Sequence, residues 1–141
     1  MARVLIAVDG SPPSLRALEF GASLAAKLGV GIVLLNIMPQ VALSVGGGGP
    51  GTLSELQHSL QAEGTHLLES LADKARPLGV AVETELDVGD PAIAIYDRSE
   101  LPDIQMVVMG SRGQGAMARL LLGSVATKVV HTSSKPVVVV R

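Results

Sequence analysis

The sequence predicts an α/β protein in which a parallel sheet is covered by helices on both faces. Five short apolar runs rich in Val, Ile and Leu alternate with segments whose apolar residues recur at helical spacing. The 141 residues suffice for one such core and are too few for two ordinary domains, so residues 1–141 read as a single domain. Phe20 and Tyr96 are the only aromatic residues, although 48% of the chain is apolar. The core must therefore be built from Val, Leu, Ile and Ala, which suit parallel strands buried on both sides.

Residues 3–8 form the first strand, an apolar run that stops at the turn signal Asp9-Gly10. Leu15, Leu18, Ala22, Ala25 and Leu28 follow at helical spacing. Ser11 or Ser14 caps this helix, Pro12-Pro13 stands at its entrance, and Gly29 lies where a left-handed C-terminal residue belongs. Residues 31–37 make a second buried strand. Periodicity then vanishes over residues 38–51, where the four glycines Gly46 to Gly49 predict a loop.

The second helix starts with Thr52 and Glu55 in capping-box spacing and carries Leu53, Leu56, Leu60, Leu67, Leu71, Ala75 and Leu78 along one face. Gly64 weakens its middle, and Pro77 with Gly79 ends it. In residues 80–88, Val80, Val82, Thr84, Leu86 and Val88 alternate with Ala81, Glu83, Glu85 and Asp87, the pattern of an edge strand wetted on one face. Asp90 caps a short helix that begins at Pro91 and runs to about Arg98, and Pro102 bars its continuation. Residues 104–109 are the fourth strand. After a loop around Ser111 to Gly115 comes helical sequence to His131, interrupted at Gly123-Ser124, and then the fifth strand at residues 137–140.

Several chemistries are disfavoured. The chain has 11 basic and 13 acidic residues and almost no aromatic stacking surface, which argues against nucleic-acid binding. Cysteine is absent, so disulfides, thiolate nucleophiles and sulfur-ligated metals drop out. No apolar stretch approaches the roughly 20 residues of a membrane helix, and the start reads as a strand rather than a signal peptide. A cytoplasmic protein with no membrane partner is the expectation. His58, His66 and His131 are discounted as metal ligands or catalytic bases: His58 and His66 lie eight apart on a leucine-faced helix without a clustered third ligand and read as solvent-facing.

In open parallel sheets ligands bind beyond the C-terminal strand ends where the strand order reverses. That rule points to Asp9, Ile37 and Gly110. From Gly110 the chain reads Gly-Ser-Arg112-Gly113-Gln-Gly115, and Gly123-Ser124 stands at a helix start. Glycines let backbone approach an anion, and the free N–H groups of a helix N-terminus attract one. Ser124 adds a hydroxyl, and Arg112 or Arg119 adds charge. The glycines alone are equally compatible with plain turns.

With Gly110, Gly113, Gly123 and Ser124 the chain resembles the universal stress protein family, whose ATP motif is Gly, two residues, Gly, nine residues, Gly, then Ser or Thr. Val8-Asp9-Gly-Ser, Leu-Leu-Asn36-Ile37, Val-Met109-Gly-Ser-Arg-Gly and the closing Lys135-Pro-Val-Val-Val-Val also look like family segments, so the resemblance spans the chain. It implies a Rossmann-like, adenine nucleotide alpha hydrolase-like three-layer αβα sandwich with a five-stranded parallel sheet of order 3-2-1-4-5. It also implies that Asp9 and Ile37 line the adenine and ribose end of ATP, beside backbone at Ala7 and Val8. Met109 and Gly110 would flank the sugar; Gly113, Gly123, Ser124 and Val125 would surround the phosphates, which would themselves hold Mg or Mn. Nothing is carried over for the loop at Gly46 to Gly49.

The function expected from this reading is an ATP-binding stress-response regulator or sensor, in which bound nucleotide favours a surface that a downstream protein partner recognises. The alternative is an enzyme on the same scaffold, a slow ATPase or nucleotidyl transferase; apart from Gln114, the motif supplies no carboxylate or glutamine to position a water. A phosphoacceptor signalling domain fails, because the third strand runs into Val88-Gly89 rather than into an aspartate. Finally, Val137, Val138, Val139 and Val140 form an uninterrupted apolar run on an edge strand. Pairing with a second copy would satisfy that edge, predicting a homodimer through the last strand, as the resemblance also implies.

Overall fold

Val4, Leu5, Ile6 and Ala7 leave the first strand no polar face to turn to water, so the chain buries it at the centre of a sheet. The computed structural model describes residues 1–40, 50–112 and 122–141. Its elements are β1 (Arg3–Ala7), α1 (Pro12–Leu28), β2 (Gly31–Met38), α2 (Pro50–Ala75), one 3₁₀ turn (Arg76–Leu78), β3 (Val82–Val88), α3 (Pro91–Ser99), β4 (Ile104–Gly110), α4 (Ser124–Thr132) and β5 (Val137–Val140). The five strands pair in parallel in the order β3-β2-β1-β4-β5.

Alternate residues of the central strands feed two cores. On one face Val4, Ile6, Ile32 and Leu34 pack against Ala17, Leu18 and Ala22 of α1 and Leu68, Leu71 and Ala72 of α2. On the other, Leu5, Val33, Leu35 and Val107 meet Ala92 and Ile95 of α3 and Ala126 and Val129 of α4. The result is the expected three-layer αβα sandwich.

Local signals act as their chemistry dictates. Ser11, not Ser14, is the N-cap of α1, its hydroxyl accepting from Ser14 N, and Gly29 closes the helix at φ 70°. Asp90 caps α3 by accepting from Ala92 N at 2.9 Å. Gly64, which weakens α2 as an isolated helix, is there for packing: a Cβ would stand 2.7 Å from Leu86 Cδ1 and 3.0 Å from Asn36 Oδ1.

Some boundaries and faces differ from expectation. The second helix begins at Pro50, so Thr52 lies inside its first turn rather than at the cap. The third strand starts at Val82; Val80 is buried but precedes the ladder. Its acidic face is not simply wet, because Glu85 is half-buried against Arg98 of α3. β1 ends at Ala7, while β2 runs on to Met38 and β4 to Gly110. The four glycines Gly46 to Gly49, together with Gly113, Gly115 and Arg119, lie outside the described residues. Among those described, no helix is long and apolar enough to cross a membrane.

Candidate functional site

The strand order reverses between β1 and β4, and the register places their ends side by side. Ala7 pairs with Leu35 on one side and with Met109 on the other; Gly110 pairs with Val140. β2 continues past the end of β1, so Ile37 stands beyond the Ala7 level. A crevice of this kind outside the strand ends is where an open α/β sheet takes its ligand.

Sequence alternation then decides which predicted residues share a face. Ala7, Ile37, Met109 and Val125 all belong to the apolar cluster on the α3 and α4 side, whereas Val8 packs on the α1 and α2 side. Ala92, in the first turn of α3, joins the first group without having been anticipated. Asp9 is exposed in the turn after β1, where its Oδ1 accepts from Ser11 N at 2.8 Å.

Gly110 sits where β4 meets the start of α1, so closely that a Cβ would approach Pro13 C and Ser14 N to 2.9 Å each. Beyond it, buried Ser111 is a junction: its N–H donates to Val140 O and its carbonyl accepts from Gly123 N, both at 2.7 Å. These two bonds fasten the start of α4 to the ends of β4 and β5. Gly123 is the N-cap of α4, with an extended backbone and no side-chain hydrogen bond to the first turn. The N-terminal end of α4 thus keeps its positive dipole, with exposed Ser124 as first residue. Arg112, two residues past β4, holds its Nε buried without a hydrogen-bond partner among the described residues. A charged donor in that condition calls for an acceptor.

The arrangement therefore joins an apolar wall of Ile37, Met109, Ala7 and Val125 to a polar end made of the α4 N-terminus and Ser124. An aromatic heterocycle suits the wall and an anion suits the polar end. His58, His66 and His131 are exposed, and among the described residues no three His, Asp or Glu side chains gather to hold a metal ion. Of the predicted set, Gly113 and Arg119 lie outside the described residues.

Asn36, to which no sequence motif gives a role, is buried with 8% exposure and donates from Nδ2 to Val8 O at 2.7 Å. Its signal was a lone amide inside an otherwise apolar buried strand, which obliges a partner. Among the described residues, a charge cluster lies toward the opposite, N-terminal end of the strands. Arg98 holds Asp103 with two bonds of 2.9 Å and Glu85 with one of 2.8 Å, while Arg3 pairs with Glu83 and Asp103. The Arg98 hydrogen bonds, seconded by Arg3, hold the Asp103 carboxyl well below the usual carboxylate range. Lys135 spends its ammonium on the carbonyls of Ser99, Leu101 and Ile104 at 3.0, 3.2 and 2.6 Å, tying the α3–β4 connection to the approach to β5.

A family model described as the universal stress protein family matches residues 1–141. Universal stress protein YxiE of Bacillus subtilis is 29% identical over 99% of this chain and 98% of its own length. Among solved structures, the Methanocaldococcus jannaschii protein MJ0577 superposes with a TM-score of 0.85 at 27% identity, covering 99% of this chain and 94% of that one. The Archaeoglobus fulgidus universal stress protein in complex with dAMP superposes with a TM-score of 0.66 at 26% identity, covering 100% and 98%.

Proposed function

Because the chain belongs to the universal stress protein family, we propose that it binds ATP in the crevice between the ends of β1 and β4 and acts as a nucleotide-dependent regulator. The observation that carries the reading is the junction at Ser111, which sets the uncapped N-terminus of α4 beside the apolar wall of Ile37 and Met109. One crevice thereby offers an apolar surface for a base and a positive helix end for phosphate. The dAMP complex of the Archaeoglobus fulgidus relative supports an adenine nucleotide as occupant.

Ile37, with backbone at Ala7 and Val8 and the Asp9 carboxylate, would hold the base and ribose. Met109 and Gly110 would border the sugar. Gly123, Ser124 and Val125 would meet the phosphates with N–H groups and a hydroxyl, and Arg112 would give its buried Nε an acceptor. Gly113 and Arg119 complete the proposed set from the motif. The phosphates would hold Mg or Mn, neutralising charge that the described side chains leave uncompensated.

Nucleotide acts by population shift: it favours the conformation that binds it, and a protein partner reads the surface of that conformation. Two copies pair through the free edge of β5, where Val137, Val138, Val139 and Val140 are half-buried in the single chain. Incubating the purified protein with ATP and Mg, then analysing nucleotide retained after gel filtration, tests the reading. ATP should be retained, with ADP release far below the roughly 10 per second of a median enzyme. No retained nucleotide would refute it, and fast turnover would move the enzyme alternative forward.

A further inference from the structure

We infer that Asn36 is a positioning residue for the site, orienting the Val8–Asp9 peptide and linking it to α2; this rests on the nucleotide reading above. The two polar groups of that peptide are both held by side chains. Its carbonyl, Val8 O, accepts from Asn36 Nδ2 at 2.7 Å, and its N–H, on Asp9, donates to Ser14 Oγ at 3.3 Å. Ser14 Oγ in turn donates to Ser11 O at 3.0 Å, and Asp9 Oδ1 accepts from Ser11 N at 2.8 Å. One plane of backbone is thus fixed from β2 on one side and from the start of α1 on the other. Its rotation carries the Asp9 side chain.

The backbone ladder explains why a side chain is needed there. Val8 N still donates to Leu35 O at 2.9 Å, but Val8 lies one residue past the end of β1. Asn36 extends the hold one group further. A buried amide in this place is constrained strongly, since misplacing it would strand both its own polar atoms and the Val8 carbonyl.

The other side of the amide faces α2. At Gly64 the helix comes so near that a Cβ would stand 3.0 Å from Asn36 Oδ1 and 2.7 Å from Leu86 Cδ1. A small displacement of α2 is therefore transmitted to Asn36, and from Asn36 to the peptide that carries Asp9. Coupling runs in both directions when it is an equilibrium property. Nucleotide held at Asp9 would bias the position of α2 to the same degree that α2 biases nucleotide affinity.

A double-mutant cycle with an independent readout tests this. ATP affinity would be measured by calorimetry for wild type, Asn36→Ala, Asp9→Ala and the double variant, and exchange of the Asp9 amide proton would be followed by NMR without nucleotide. If Asn36 acts through Asp9, Asn36→Ala loses about tenfold in affinity when Asp9 is present and less than about twofold when it is absent. Asp9 amide exchange should also accelerate in Asn36→Ala. A purely structural Asn36 would give equal losses in both backgrounds, and that result, or unchanged exchange, overturns the inference. Gly64→Ala perturbs the amide from α2 without removing it and carries the same comparison should Asn36→Ala not fold. If wild type fails to bind ATP, the nucleotide reading falls, while the exchange measurement still decides whether Asn36 positions Asp9.

Discussion

Replacing Gly110 by alanine probes the closest approach in the site, that of β4 to the start of α1. The added Cβ would stand 2.8 Å from Pro13 Cβ and 2.9 Å from Pro13 C and Ser14 N. Two of these three are backbone atoms, and no rotamer change can clear them. Reaching ordinary contact at 3.4 Å requires α1 to retreat by about 0.5 Å, a form of overpacking that costs about 1–3 kcal/mol. Alanine offsets about 0.4–1 kcal/mol by restricting the unfolded chain, and the midpoints of the two ranges leave a net loss of about 1.3 kcal/mol. For 141 residues the unfolding entropy is about 0.3 kcal/mol per degree, so Tm should fall by about 4 °C. Thermal unfolding followed by circular dichroism, with and without Mg-ATP, measures both consequences. Because Ser14 also holds Asp9 N, the rise in Tm that nucleotide confers should shrink in the variant. A Tm unchanged to within about 1 °C, with full protection by ATP, would refute the claim that this contact shapes the site.

Other outcomes follow from particular residues. Asp103→Asn should lower stability at pH 7, because Asp103 accepts from Arg98 and Arg3. The folded carboxyl is held below its unfolded value, so its contribution is complete above the unfolded pKa of about 4 and is lost as pH falls through the folded one. Urea titrations should therefore show the gap between wild type and variant closing in acid; a gap constant from pH 7 to pH 3 would contradict the ion-pair account. Ser124→Ala should weaken ATP binding by about 1.5–3 kcal/mol, the worth of one hydrogen bond to a charged group, without changing Tm by more than a few degrees. For the dimer, the ladder chooses the substitution. Pro136 O accepts from Val107 N and Val140 O from Ser111 N, so even-numbered residues of β5 face β4 and Val139 presents its N–H to the free edge. Val139→Pro should convert a sedimenting dimer to monomer while leaving the β4 ladder intact, and wild type sedimenting as monomer at micromolar concentration would contradict the interface.

The sequence disclosed the fold more fully than the site. Unbroken apolar runs such as Val4 to Ala7 and Ile32 to Leu35 state their burial directly, and Asp90-Pro91 or Gly29 mark helix ends through local chemistry. The start of α2 misled because Thr52 and Glu55 make a capping box on paper, while proline is just as acceptable in a first turn. Glu85 looked like solvent-facing charge because periodicity does not reveal that Arg98, 13 residues on, returns to meet it. Within the site, the glycine and serine pattern was legible since it is local. Asn36, Ser111 and the closeness of Gly110 to Pro13 were not, as each takes its meaning from partners 12 to 97 residues away. Gly64 is the clearest instance: helix propensity marks it as a weakness, and only the neighbouring Leu86 and Asn36 explain it.

The central claim is that nucleotide phosphate meets the start of α4, and calorimetric titration of Mg-ATP into wild type and Gly123→Val tests it most directly. Gly123 has an ordinary extended backbone, φ −65° and ψ 164°, so valine is conformationally tolerated and its branched side chain would obstruct the N-terminal end of α4. The account predicts saturable binding to wild type and none to a folded Gly123→Val. Equal affinity in both proteins, or no binding heat in wild type across temperatures, would contradict it.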